Sequence, residues 1–336
     1  MPRYIVSRIG AALVMALLAT LVVFLISNTV PGDPVLAQLG DIAASNKEFL
    51  AEWRAKWGLD LPLWQRYLIF LKGLVHGDLG ISISSQRPVL DDIRNYAPAT
   101  IELATVSFVL AILLGVPLGI MAAVRRDTWI DHTARVVSLI GVSSPTFWLA
   151  FIMLAVFYGG LEIAPGPGQL DPIALAPDRV TGLLLIDTVI AGDWGTFRDA
   201  AAHLVLPSIV LAAATLGLIT RTTRASMLES IQQDYVRVAR AKGLRKSTII
   251  LGHVFPNALI PVVTLGGLAY AQLLSGAVMT ETIFSWPGLG LYTFRSAAAL
   301  DFPAIMGITL VVALVYLLIN LMIDISYAYL DPRVMR

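Results

Sequence analysis

The sequence predicts an all-α integral membrane protein with six transmembrane helices. Three observations lead there. Of 336 residues, 57% are hydrophobic and only 14% charged, and the mean hydropathy is +0.76. A soluble chain of this length needs far more charge to cover its surface. Six stretches then reach the roughly 20 apolar residues that cross about 30 Å of hydrocarbon. Finally, Lys and Arg cluster in alternate connecting segments, the pattern of cytoplasmic loops.

The six expected spans are Ile9–Ser27, Ile101–Val124, Val136–Tyr158, His203–Thr220, Ala258–Thr280 and Ala304–Asp324. The first follows Arg3 and Arg8, as a signal peptide would. No small-x-small cleavage site appears before Pro31-Gly32-Asp33-Pro34, so it is read as a span. Leu183–Ile190 is apolar but too short, and it contains Asp187.

Charge sets the expected orientation. Arg3 and Arg8 precede the first span, and Arg125, Arg126 and Arg135 lie between the second and third. Arg221, Arg224, Arg237, Arg240, Lys242, Arg245 and Lys246 lie between the fourth and fifth, and Arg333 and Arg336 end the chain. The segment 159–202 has only Arg179 and Arg198 among six acidic residues. Both termini are therefore expected in the cytoplasm, with 28–100 and 159–202 outside. The expected organisation is a first transmembrane helix at 1–28, an external loop at 29–100, and a core of five spans at 101–336. Within the external loop, Lys47–Trp57 and Pro62–Val75 read as short helices. Trp53, Trp57 and Trp64 suit either a membrane interface or contact with a partner.

Several chemistries are excluded. A net charge of +1 gives no reason to expect a nucleic-acid partner. With no cysteine there is no disulfide and no thiolate site. His76, His132, His203 and His253 lack metal-ligand spacing. No Asp, Glu, Lys, Arg or His falls in the interior of a proposed span; Glu102, His203 and Asp324 fall at span ends, where water or headgroups can solvate them. A proton-coupled carrier holds its proton on intramembrane acids or histidines, so energy is expected to enter from outside the bilayer. Gly243-Leu244-Arg245-Lys246-Ser247 imitates a phosphate-binding loop but has Arg245 where Gly must precede the Lys.

The polar residues Ser143 and Ser144 beside Pro145, and Thr264, Gln272 and Ser275 in the fifth span, are candidates to line a path, although taken singly each reads first as a packing residue. Gly115 and Gly119 form a GxxxG suited to close helix contact. The basic segment 221–256 carries the strongest functional signal. Ile231, Tyr235, Val238 and Ala239 fall on one helical stripe, and Gly243 then ends the helix. Ala239, Ala241 and Gly243 leave little bulk at the bend. A docking loop for another protein and a basic stretch held on anionic headgroups both fit this pattern.

Motifs along the chain carry a resemblance. Pro31-Gly32-Asp33-Pro34, Gly58-Leu59-Asp60-Leu61-Pro62, His76-Gly77-Asp78-Leu79-Gly80 and Gly115-Val116-Pro117-Leu118-Gly119 are followed by Asp234-Tyr235-Val236-Arg237-Val238-Ala239-Arg240-Ala241-Lys242-Gly243. Glu281-Thr282-Ile283-Phe284-Ser285-Trp286-Pro287-Gly288-Leu289-Gly290 completes the series. The chain resembles permease subunits of binding-protein-dependent ABC importers, in the dipeptide, oligopeptide and nickel subfamily. Thr181-Gly182-Leu183-Leu184-Leu185-Ile186-Asp187-Thr188 is similar to dipeptide permeases more narrowly.

The resemblance implies the type I importer fold and a coupling loop formed by Asp234, Tyr235, Arg237, Ala239, Arg240, Ala241, Lys242 and Gly243. The family pattern there is Glu-Ala-Ala-x-x-x-Gly; this chain keeps only Ala239 and Gly243 and has Arg237 and Val238 in the first positions. It further implies a second homologous permease subunit, two cytoplasmic ATPase subunits and an external solute-binding protein, all assembled in the lipid bilayer. The chain itself is expected to bind no cofactor and to catalyse no reaction, with ATP and Mg on the partner ATPases. Other cargo (a nickel chelate, an oligosaccharide, haem or a glutathione-like peptide) fits the same machine. An ion-coupled carrier or a scaffold is the alternative of another class.

Overall fold

A computed structural model describes residues 2–29 and 61–330, and these residues are mostly helical, their longest connection between helices running over 161–183. In chain order the helices are α1 (Pro2–Thr29), α2 (Leu63–Val75), α3 (Val89–Val124), α4 (Trp129–Ser143) and α5 (Thr146–Met153). After a π-helical stretch at Leu154–Gly160 come α6 (Leu184–Ile190), α7 (Trp194–Ile231) and α8 (Asp234–Ala241). A helical turn at Lys246–Thr248 and π-helical turns at Ile249–Val254 run into α9 (Phe255–Gly276). Then follow α10 (Val278–Ile283), α11 (Leu289–Ala298) and α12 (Phe302–Leu330).

Among the described residues, five segments are long and apolar enough to cross a membrane: Ser7–Ile26, Val89–Val124, Trp194–Ile231, Lys246–Ser275 and Phe302–Ile323. The sixth expected span is not one rod. Trp129–Ser143 and Thr146–Gly160 meet at 103°, so 136–158 is a bent pair. Pro145 supplies the cause. Its ring drives the preceding residue out of the helical region, and Ser144 sits at φ −79°, ψ 125°. Pro98, Pro117, Pro207 and Pro261 stay inside continuous helices.

The helix ends also differ from the expected ones. α3 starts at Val89, so a boundary at 100/101 falls inside it, and α7 runs on to Ile231 through the first part of the expected loop 221–256. With 36 and 38 residues they are about 54 and 57 Å long, well beyond the hydrocarbon thickness. The fifth span begins near Lys246 and ends at Ser275, about a dozen residues earlier than Ala258 at its start. Of the two expected external helices, α2 matches Pro62–Val75, whereas Lys47–Trp57 lies outside the described residues.

α7 is the hub, and glycines let its neighbours approach. A Cβ on Gly115 would lie 3.1 Å from Ile219 Cγ2, and one on Gly119 would lie 2.6 Å from Thr223 Cβ. The GxxxG of α3 is thus a packing face against α7. On the other side, a Cβ on Gly141 of α4 would run into the Ala213 carbonyl, and one on Gly217 would lie 2.5 Å from the Ser138 carbonyl. α3, α7 and α9 also share a buried cluster of Leu103, Leu204, Leu211, Leu273 and Trp286. α1 lies outside this group against α12.

Candidate functional site

α8 hangs from the end of α7 and is held by its own chain. Val236 and Ala239 are buried with Met227, Ile249, Ile250 and Val254. Of the expected stripe Ile231, Tyr235, Val238 and Ala239, Ala239 is buried and Ile231 packs partly buried on the same cluster, whereas Tyr235 and Val238 are exposed and Val236 turns inward instead. Ala239 therefore spends its small side chain on internal packing.

Gly243 closes this helix. Its φ is +73°, its N–H donates to the Arg240 carbonyl at 2.9 Å, and Leu244 N–H reaches the Ala239 carbonyl at 3.4 Å. A left-handed residue that folds the chain back over the last turn is the common helix stop, and Gly adopts it without a Cβ penalty. Nothing lies within 4 Å of where a Cβ would stand. Arg240, Ala241, Lys242, Arg245 and Lys246 are all exposed beside it, and Arg237 pairs with exposed Asp234 at 3.2 Å. The result is a basic knob with a smooth tip.

The same end carries an ion pair that the hydropathy reading missed. Arg224 of α7 grips Asp131 of α4 with two bonds of 2.6 and 2.8 Å, and Arg135 stands 3.6 Å away. The Asp131 side chain is fully buried. Two-pronged contact fixes both the distance and the rotation of α4 on α7.

Farther along, the bend opens a groove of roughly 620 Å³ lined by Ser143, Ser144, Pro145, Leu139, Phe147 and Trp148. Both candidate serines share this groove. The α9 candidates do not line it: Thr264 and Ser275 donate their hydroxyls to the Ile260 and Ala271 carbonyls of their own helix, and Gln272 is exposed.

At the opposite end α3, α10 and α11 meet around Glu281, which has no exposed surface. Thr100 Oγ1 donates to Glu281 Oε1 at 2.7 Å, and Gly290 and Leu291 N–H donate to Oε2 at 2.7 and 3.1 Å. A carboxylate on the first N–H groups of a helix is well placed for its dipole. Burial nonetheless pushes this carboxyl up to about 7, against the pull of those hydrogen bonds. Trp286 Nε1 donates to the Ala99 carbonyl at 2.9 Å and seals the network. Nearby, Asp301 accepts from Ser82 Oγ at 2.6 Å and from Ser84 N–H at 3.0 Å, tying the loop before α3 to the start of α12. On α6, burial works to raise the Asp187 carboxyl, but bonds from Thr181 and Gly182 hold it below the usual range. Glu102 is buried too, accepting from Leu185 N–H at 2.7 Å, and buried His203 meets Asp199, so neither is solvated as expected. Among the described residues no cluster of three or more His, Asp or Glu could hold a metal ion.

Comparison with known proteins gives this arrangement its context. The family model of the binding-protein-dependent transport system inner membrane component matches residues 115–336, and its N-terminal companion matches residues 1–104. The probable D,D-dipeptide transport system permease protein DdpB of Escherichia coli K12 is 45% identical over 94% of this chain and 92% of its own length. The dipeptide transport system permease protein DppB of the same strain is 40% identical over 99% of both chains. Among solved structures, a chain of the MetNI methionine ABC transporter matches in fold with a TM-score of 0.51. It does so at 16% identity, covering 69% of this chain and 93% of that one.

Proposed function

The chain belongs to the inner membrane components of binding-protein-dependent transport systems, and from that premise we propose that it is one permease subunit of an ATP-driven importer for dipeptides or other short peptides. The observation that carries the reading is 40% identity to a dipeptide permease from end to end of both chains. The chain's work is mechanical.

The mechanism rests on rigid connections. ATPase subunits dock on the knob formed by Asp234, Tyr235, Arg237, Ala239, Arg240, Ala241, Lys242 and Gly243 from the cytoplasmic side, where both termini also lie. The exposed basic rim and the smooth tip at Gly243 support this, with Ala239 anchoring the knob from within. Because Val236 and Ala239 bind α8 to the π-helical turns leading into α9, a displaced knob carries α9 with it. The Asp131–Arg224 pair passes rotation of α7 to α4 and hence to the bend at Pro145. Ser143 and Ser144 in the groove, with Thr264, Gln272 and Ser275 on α9, line this subunit's half of the path, and a second homologous permease supplies the other half. An external solute-binding protein delivers cargo in the bacterial inner membrane, and ATP and Mg bind only to the ATPases.

Purification of the tagged chain in mild detergent tests the assembly and the cargo together. Co-purification of one second permease, ATPases and a binding protein carrying short peptides is expected. A binding protein loaded with a metal chelate, sugar or haem contradicts the peptide reading, and purification of the chain alone as an active carrier contradicts the importer.

A further inference from the structure

α2 is apolar on two sides, and only one of them is used by the protein. Its inner side, Tyr67, Phe70 and Leu74, meets α1 and the buried cluster around Leu79, Val89 and Ile308. Leu63, Trp64, Leu68, Ile69 and Val75 of α2 are exposed, Val75 by 83%, as is Leu61 just before the helix. Within α2 the spacing 64, 68, 75 makes one stripe on the helix. Gln65 and Lys72 border it on the side away from Phe70.

The depth of α2 is fixed by what it touches. Tyr67 hydroxyl lies 2.9 Å from Thr20 Oγ1 and donates to the Leu17 carbonyl at 3.3 Å. Phe24 packs on Tyr67 and Phe70 with ring centroids 5.3 and 5.9 Å apart. The apolar span of α1 ends at Ile26. At 1.5 Å per residue, Thr20 is therefore about 9 Å below that end and Phe24 about 3 Å below it. A helix held against both sits inside the apolar band, where the outward stripe can meet only lipid or another polypeptide.

We propose that α2 is a membrane-interface helix whose Trp64, Leu68 and Val75 face lies on lipid at the boundary of headgroups and acyl chains. The depth matches the 5–10 Å at which amphipathic helices settle in that boundary. Trp64 is of the type enriched there, and Lys72 can bury its stem and lift its ammonium to the headgroups. The lipid face of α1, with Val22 exposed beside Phe24, continues onto this stripe. The placement requires only that α1 crosses the bilayer, so it stands apart from the cargo and from the direction of transport.

The chain has no cysteine, so single Leu68→Cys and Val75→Cys variants can each carry one bimane label. The labelled importer would be reconstituted in phosphatidylcholine–phosphatidylglycerol vesicles, and its emission read with lipids bearing nitroxide at a shallow or a deep position, and with aqueous iodide. The expected result at both sites is strong loss of emission with the shallow lipid, weaker loss with the deep lipid and little loss with iodide. Loss with iodide alone means a water-exposed helix and overturns the proposal. Protection from all three quenchers means that a polypeptide covers the stripe, which also overturns it.

Discussion

Thr100 on α3 and Glu281 on α10 share a hydrogen bond of 2.7 Å, and the same Thr100 oxygen accepts the Leu289 N–H at the start of α11 at 2.7 Å. One hydroxyl thus joins three helices across a fully buried carboxyl. Gly288 stands so close that a Cβ there would run into Glu281. The junction is therefore set by charge and close packing together.

The carboxyl gives the junction a pH dependence. Its ordinary value is 4.5, and burial raises it to about 7 in the folded chain. The folded state therefore binds more protons between these values, so its stability is greatest below 4.5 and falls as pH rises to 7. The full difference is about 3 kcal/mol, at 1.4 per unit. Above pH 7 no further change is expected. Glu281→Gln keeps an acceptor for Gly290 and Leu291 and removes the charge, so its melting temperature in detergent should lose the native slope between pH 5 and 7. An unchanged slope would assign the dependence to other groups.

Arg224→Ala leaves Asp131 buried without its two-pronged partner, at a cost of about 3–5 kcal/mol. Arg224→Lys keeps a charge but not the fork, and should fall between the two. The double variant Asp131→Asn, Arg224→Gln carries no buried charge and should melt above Arg224→Ala. If it melts lower, the pair's charge itself stabilises the contact.

Gly119→Ala must push α3 off α7 because its Cβ would come within 2.6 Å of Thr223. Overpacking of this kind costs about 1–3 kcal/mol. Gly10→Ala on α1 meets nothing within 4 Å and serves as the control, with no loss in thermal stability expected.

Much of this fold can be read from composition, and the misses share one physical origin. Hydropathy reports how apolar a segment is, not where its axis points, so 136–158 passed as one span although Pro145 turns it by 103°. The local rule was visible at Ser144-Pro145, yet Pro117 and Pro207 sit in unbroken helices, so proline alone does not mark a bend. Asp131, Glu102 and Glu281 lie at the margins of apolar windows, where a charge reads as solvated. Their burial depends on Arg224, Leu185 and Thr100, which are distant in sequence. On α8 the expected stripe is right at Ala239 and wrong at Tyr235 and Val238 for the same reason: Val236 and Val238 are equally apolar, and only the packing of Ile249 and Val254 decides which turns inward. Gly115, Gly119 and Gly243 were legible, because a residue without a side chain announces close approach or a left-handed turn.

Gly243 offers a clean separation of folding from docking. Gly243→Asp meets no atom of its own chain, and the left-handed φ costs about 1 kcal/mol, so the subunit should still insert and fold. It should lose ATPase subunits on purification and lose uptake. Neutralising Arg240, Lys242, Arg245 and Lys246 together should weaken binding less than Gly243→Asp does. The reverse order would make this loop a lipid-binding basic stretch instead.

The most direct measurement is accumulation of a labelled dipeptide by vesicles that contain the assembled importer, with the binding protein outside and ATP enclosed or omitted. The account predicts accumulation only when enclosed ATP and the external protein are both present, and no response to a proton or sodium gradient alone. Accumulation driven by either gradient without ATP would contradict it.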